Sequence, residues 1–330
     1  MRKRSLLLAA GVCMATLTLT IGTAMADPNG TPTFRQLAGV GAETTQGVMN
    51  ALSDIIKDSN GTKIIASYDN APQPSNITTK STGNCTIARP AQGGAGTDAL
   101  TASLRANDHC VDFARVVTND SATRQGPGLT YIPFAVDALT YAIRDDSSIG
   151  RDLSTADLTK IYNCQVPSVH PLLGGFGAGN RTFFLKKLGI TDAANLVTQT
   201  GHTCIKDTDP ATGLPLLAND GRVLTDPSQI ITYSSAPYLA QVNNVVADKH
   251  GNAVLGSIDA ISPAILNNNS TMSRDVYNVV PTSQLGVAPT STVFVGSSSA
   301  VCSNGPTIQR NGFNLNPNCG ATTIQSTPSP

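Results

Sequence analysis

Three glycine-rich segments of this 330-residue chain carry the residue types and spacing best suited to chemistry. Gly39-Val40-Gly41-Ala42-Glu43-Thr44-Thr45 leads into a stretch with helical periodicity. Gly93-Gly94-Ala95-Gly96-Thr97 leads into a shorter one containing Leu100 and Leu104. Gly174-Gly175-Phe176-Gly177-Ala178-Gly179-Asn180 leads into one with Phe183, Phe184 and Leu188. The first turn of a helix leaves backbone N–H groups unpaired and carries the positive end of the helix dipole. Glycine lets an anion come close to those groups, and a Thr or Asn at the turn adds a side-chain donor. Several such termini meeting in one cleft would hold a desolvated oxyanion with few cationic side chains. Taken alone, each is an ordinary strand-to-helix connector; three together give a binding role equal standing.

Other chemistry finds little support. The third segment does not fit G-x-G-x-x-G, and no Walker A, H-E-x-x-H or G-x-S-x-G pattern occurs. The four histidines, His109, His170, His202 and His250, fall in polar or loop settings. None of the cysteines after residue 13 lies in a C-x-x-C, so neither a redox nor a zinc site is expected, and no cofactor. Tryptophan is absent, which argues against a sugar cleft built on stacking platforms.

The elements that must position these loops read as α/β. Short β-branched runs alternate with helical periodicity. The runs Lys63–Tyr68, Leu129–Ala135, Leu139–Arg144, Asn252–Ile258, Val276–Val280 and Thr292–Gly296 predict strands. Val48, Met49, Leu52, Ile55 and Ile56 predict a helix over Thr45–Lys57. Ser154-Thr155-Ala156-Asp157 predicts a capping box opening a helix to Tyr162, and Pro237–Ala247 predicts another helix. Asp69–Ser81, rich in Asn, Pro, Ser and Thr, reads as an exposed loop, and the tail after Cys319 as disordered.

The N-terminus sets the expected compartment. Arg2, Lys3 and Arg4 precede an apolar run from Leu6 to Ile21, and Ala24-Met25-Ala26 offers a small-x-small cleavage pattern. A signal peptide over 1–26, cleaved after Ala26, is the expectation. Ala10-Gly11-Val12 before Cys13 lacks the residues of a lipoprotein site, so a secreted protein without a lipid anchor is expected. Cleavage leaves 19 basic and 22 acidic residues, which excludes the basic footprint of a nucleic-acid binder. Six cysteines remain, an even number that implies disulfides in an exported chain. The sequential pairing Cys85–Cys110, Cys164–Cys204 and Cys302–Cys319 is expected, because each loop is then local.

Taken in order, these features resemble the phosphate-type solute-binding proteins of ABC importers, in particular a secreted bacterial branch. Leu37–Thr45 is similar to that family's opening loop, and Val111-Asp112-Phe113-Ala114-Arg115 to its V-D-F strand end. Leu129–Ala135 resembles the "I-P" strand crossing into a second lobe. Leu153–Tyr162 resembles the following helix, Gly177–Phe184 the G-S-G-T loop, and Asn252–Ile258 the returning strand. The resemblance spans most of residues 34–320. It implies the two-lobed type II periplasmic-binding fold, each lobe a central sheet flanked by helices and the two joined by crossing strands. Lobe one would hold 27–134 and 255–330, and lobe two 135–254.

Ligand contacts would fall at Glu43 or Thr44, at Gly94 or Ala95, and at Gly177, Ala178, Gly179 and Asn180. Arg115 and Arg181 would supply charge. Asp137 would face the cleft, or serve as an N-cap or lobe contact. The sequence departs from the phosphate pattern in two places. Ala178 and Asn180 stand where phosphate binders carry Ser and Thr, and Ala-Arg-Val-Val follows Phe113 without their aspartate.

The expected function is capture of a small solute, phosphate or another oxyanion, by a monomer that presents it to an ABC permease. A secreted binding or surface protein that keeps the fold without transport is the alternative. Phosphate-ester hydrolysis is a third class, for which no metal ligands or paired nucleophile and base are visible in the sequence.

Overall fold

The β-branched runs pair into one mixed sheet from which both halves of the molecule are built. The computed structural model describes residues 27–327 except 29 and 264–270, so the expected leader over 1–26 lies outside the described residues. The strands are β1 (Leu37–Gly41), β2 (Ile65–Ser67), β3 (Asn76–Thr78), β4 (Thr86–Ala88), β5 (Phe113–Val116), β6 (Leu129–Arg144), β7 (Asp152–Leu153), β8 (His170–Leu172), β9 (Gln229–Ser234), β10 (Ala253–Leu255), β11 (Ser257–Ile258), β12 (Ser273–Pro281) and β13 (Asn314–Leu315). The helices are α1 (Gln46–Ile55), α2 (Gly93–Ala106), α3 (Thr155–Tyr162), α4 (Gly179–Lys187), α5 (Ser235–Val242), α6 (Thr290–Phe294) and α7 (Gly305–Arg310). The main sheet runs β2-β1-β5-β12-β6-β9-β8. No helix among the described residues is long and apolar enough to cross a membrane.

Strand β6 is the spine. All its residues but Arg144 are buried, as the near-continuous apolar run of a strand covered on both faces requires. Its first half pairs with β12 and its second with β9. Val48, Met49 and Leu52 of α1 pack with Phe113, Ile132 and Phe294 on one face of the first half. Leu100, Tyr131 and Val279 fill the other. Around the second half, Tyr141, Leu158, Tyr162, Phe184 and Ile230 form a third core, and Leu172, Ile231 and Tyr233 a fourth. Each half of the sheet is thus a sandwich of its own, and β6 and β12 link the two. Ser154 caps α3: its hydroxyl accepts from Asp157 N–H at 3.1 Å and its own N–H reaches the Asp157 carboxylate at 3.3 Å. The structure bonds Cys85 to Cys110, Cys164 to Cys204 and Cys302 to Cys319.

Several elements differ from the sequence-based expectation. Thr292–Gly296 does not form a strand: Thr290–Phe294 is helix α6, which buries Val293 and Phe294. A short apolar run carries no period that separates the two states, and tertiary packing decides. The two strands expected at Leu129–Ala135 and Leu139–Arg144 are one, whereas Asn252–Ile258 divides into β10 and β11. Helix α5 ends at Val242, and Asn244 adopts a left-handed conformation (φ 55°) that stops it short of Ala247. Asp69–Ser81 is not simply an exposed loop, since β3 pairs with β4 there and Asn70, Ile77 and Thr79 are buried. The tail after Cys319 is not disordered over its described residues, 320–327. Tyr131 N–H donates to Ile324 C=O at 2.8 Å, and Ser326 N–H to Leu129 C=O at 2.9 Å. Ile258 and Met272 pack in the second-half core.

Candidate functional site

The three glycine segments meet. Loop one follows β1 and delivers Glu43 and Thr44 ahead of α1. Segment two is not a loop: Gly93–Thr97 forms the opening turns of α2, with Gln92 just before it, while loop three delivers Ala178, the residue before α4. Close backbone approach is what glycine allows here. A Cβ on Gly96 would lie 2.7 Å from Gly41 Cα, and one on Gly175 only 2.5 Å from Pro215 Cβ. The Gln92 amide abuts loop three, with its nitrogen 3.2 Å from where a Gly175 Cβ would sit.

Between these loops lies a cavity of about 220 Å³. Glu43, Ala91, Gln92, Gly175 and Ala178 line it, and Asn70–Gln73 and Leu214–Leu217 complete its walls. The wall from Asn70 is pinned: Asn70 N–H donates to Gln46 Oε1 at 2.9 Å and its amide to Ala91 C=O at 3.1 Å.

Beside the cavity a buried polar chain ties the two halves together. Asn180 donates from Nδ2 to Glu43 Oε1 at 3.2 Å, and Thr44 Oγ1 donates to Asn180 Oδ1 at 3.2 Å. Arg274 Nη2 also donates to Asn180 Oδ1, and to Asp137 Oδ2 at 2.9 Å. The Asp137 carboxylate further accepts from Ser234 Oγ at 2.7 Å and from Ala236 N–H at 3.3 Å, at the start of α5. Arg274 Nη1, Thr45 Oγ1 and Ser235 Oγ are buried without a partner. Burial raises the Glu43 carboxyl above the usual carboxylate range. Its own backbone N–H and the Arg274 and Arg115 charges oppose that rise, and Asp137 adds to it. Burial likewise lowers Arg274, against the pull of Asp137.

The residues singled out from the sequence fall into three groups. Glu43 and Ala178 face the cavity, and Gly177 lies against Gln92, 3.2 Å from its Oε1 to an added Cβ. Thr44, Asn180 and Asp137 belong to the polar chain, and Gly179 packs on Val117 and Thr118. Gly94 has open space beside it and Ala95 is exposed; neither lines the cavity.

The two arginines expected to supply charge do not line it either. Arg115 is fully buried beneath loop one and donates to the carbonyls of Gly39, Gly41, Ala42 and Tyr68 and to Ser67 Oγ. Arg181 pairs with Asp192 and Asp207, each at 2.7 Å, and bonds Asn195 and the Gly174 carbonyl. Both guanidiniums are committed to holding the loops. Sequence reasoning missed Arg274, Gln92 and the Leu214–Leu217 wall. Arg274 lay two residues outside the expected strand Val276–Val280, where one more step of alternation would have placed it.

No family model matches the chain, and no curated protein matches it. Solved structures do share its fold. An ABC-type phosphate transport receptor from Vibrio cholerae matches with a TM-score of 0.50 at 12% identity, over 85% of this chain and 100% of that one. A putative phosphate ABC transporter substrate-binding protein from Clostridium perfringens, with bound phosphate, matches with a TM-score of 0.53 at 12% identity, over 85% and 99%. The chain has the two-lobed periplasmic-binding fold.

Proposed function

We propose that this protein works outside the cytoplasm as a solute-binding protein, holding one small molecule between its lobes for delivery to a membrane permease. The observation that carries the reading is the cavity of about 220 Å³ where loops one and three meet Gln92, the residue before α2. Concave sites of this kind, between lobes and walled by apolar side chains with a few polar groups, are where small ligands bind. The leader-like pattern of residues 1–26 and the three cystines support an extracytoplasmic setting. Both neighbours are named as phosphate transport components, which supports a transport role for the shared fold.

Phosphate itself suits this lining poorly. The cavity wall offers a buried carboxyl, Glu43, and no arginine or lysine, so a second anion there would meet repulsion without a counter-charge. Isothermal titration calorimetry against oxyanions, amines, amino acids and sugars tests the capture role. One class is expected to bind below millimolar, and Ala178→Trp, which fills the cavity, to abolish that binding. Silence across the whole panel would overturn the proposal.

A further inference from the structure

Resting on the solute-capture reading above, we infer that the solute is a small organic amine, its ammonium held by Glu43 and its hydrocarbon part against Pro72, Leu214, Leu216 and Leu217. Glu43 is the one lining residue, among those described, that can carry a charge. A buried carboxylate calls for a counter-charge, and the two cations that act on it electrostatically are spent elsewhere. Arg274 serves Asp137 and Asn180, and Arg115 serves Ser67 and the carbonyls of loop one and Tyr68. Asn180 Nδ2 supplies one neutral hydrogen bond to Oε1. A cation entering the cavity completes this incomplete set.

The rest of the wall sets the ligand's body. Alanine, proline and leucine side chains dominate it. A compact alkyl or alicyclic amine suits such a lining. Glu43 sits against the Asn180–Thr44 bridge between the halves, so its neutralisation by the ligand is felt where the lobes meet.

Calorimetry at neutral pH with cyclohexylammonium, its uncharged isostere cyclohexanol and inorganic phosphate tests the assignment, using wild-type protein and Glu43→Gln. Cyclohexylammonium is expected to bind about tenfold to a hundredfold more tightly than cyclohexanol. Glu43→Gln should erase that difference, with a melting scan verifying that the variant is folded. Equal affinity for amine and alcohol, or an amine affinity that survives Glu43→Gln, would overturn the assignment. Phosphate binding that is blocked by Ala178→Trp, without amine binding, would overturn it too while leaving solute capture standing. Failure of all three probes overturns the amine assignment. Capture itself then falls only if the broader panel is also silent.

Discussion

Glu43 is where burial, charge and the proposed site coincide. Its carboxyl is raised by burial in the folded state, whereas the unfolded chain titrates near the ordinary value of about 4.3. Below that value the group is protonated in both states and adds no pH dependence. As pH rises through the interval up to the folded value, the unfolded chain loses its proton first, and stability falls. Glu43→Gln keeps the acceptor for Asn180 Nδ2 and removes the charge. Its melting temperature should therefore match the wild type near about pH 4 and exceed it increasingly towards neutrality, as scanning calorimetry would read. Asp137→Ala leaves the buried Arg274 guanidinium unpaired and is expected to cost about 3–5 kcal/mol in urea unfolding. The acidic half of this chemistry was legible from the sequence, because Glu43 sits in a glycine loop and Asp137 follows the expected crossing strand. The basic half was not. Arg274 gains its meaning from lying directly across from Asp137 in the β6–β12 register, and that pairing joins positions 137 residues apart.

At the level of elements, the ordered tail gives the clearest prediction. Residues 324–326 bond back to the start of β6, and Leu129 N–H also donates to Ser326 Oγ at 3.0 Å. Deleting 321–330 should strip the Leu129 and Tyr131 amides of protection in hydrogen exchange while the β6–β9 ladder stays protected. Helix α6 offers a second test. Phe294 is buried against Phe113, with ring centroids 5.0 Å apart, so Phe294→Ala is expected to cost about 3–5 kcal/mol. Both elements were misread from sequence for one physical reason. The composition of Ser-Thr-Pro tails and of β-branched runs states a local preference, while a long-range partner decides the outcome. Elements that state their own boundaries did better. The Ser154–Asp157 capping box fixes the start of α3, and the Val48, Met49 and Leu52 face identifies α1. The walls of the cavity were the least visible, because Asn70–Gln73 and Leu214–Leu217 come together from loops far apart in the chain and share no motif.

In the whole molecule β6 and β12 join the two lobes, and the Thr44–Asn180–Glu43 bridge latches them. Asn180→Ala removes that latch, and small-angle scattering should find the unliganded variant more expanded than the wild type. The central claim is that the hollow bounded by Glu43, Gln92 and Gly175 is where a solute sits. A crystal structure of protein purified without denaturation from its producing cells tests this most directly. The account predicts non-water density in that hollow, with a nitrogen within hydrogen-bond reach of the Glu43 carboxylate. A hollow that holds only water in such crystals, with solute density elsewhere or nowhere, would contradict it.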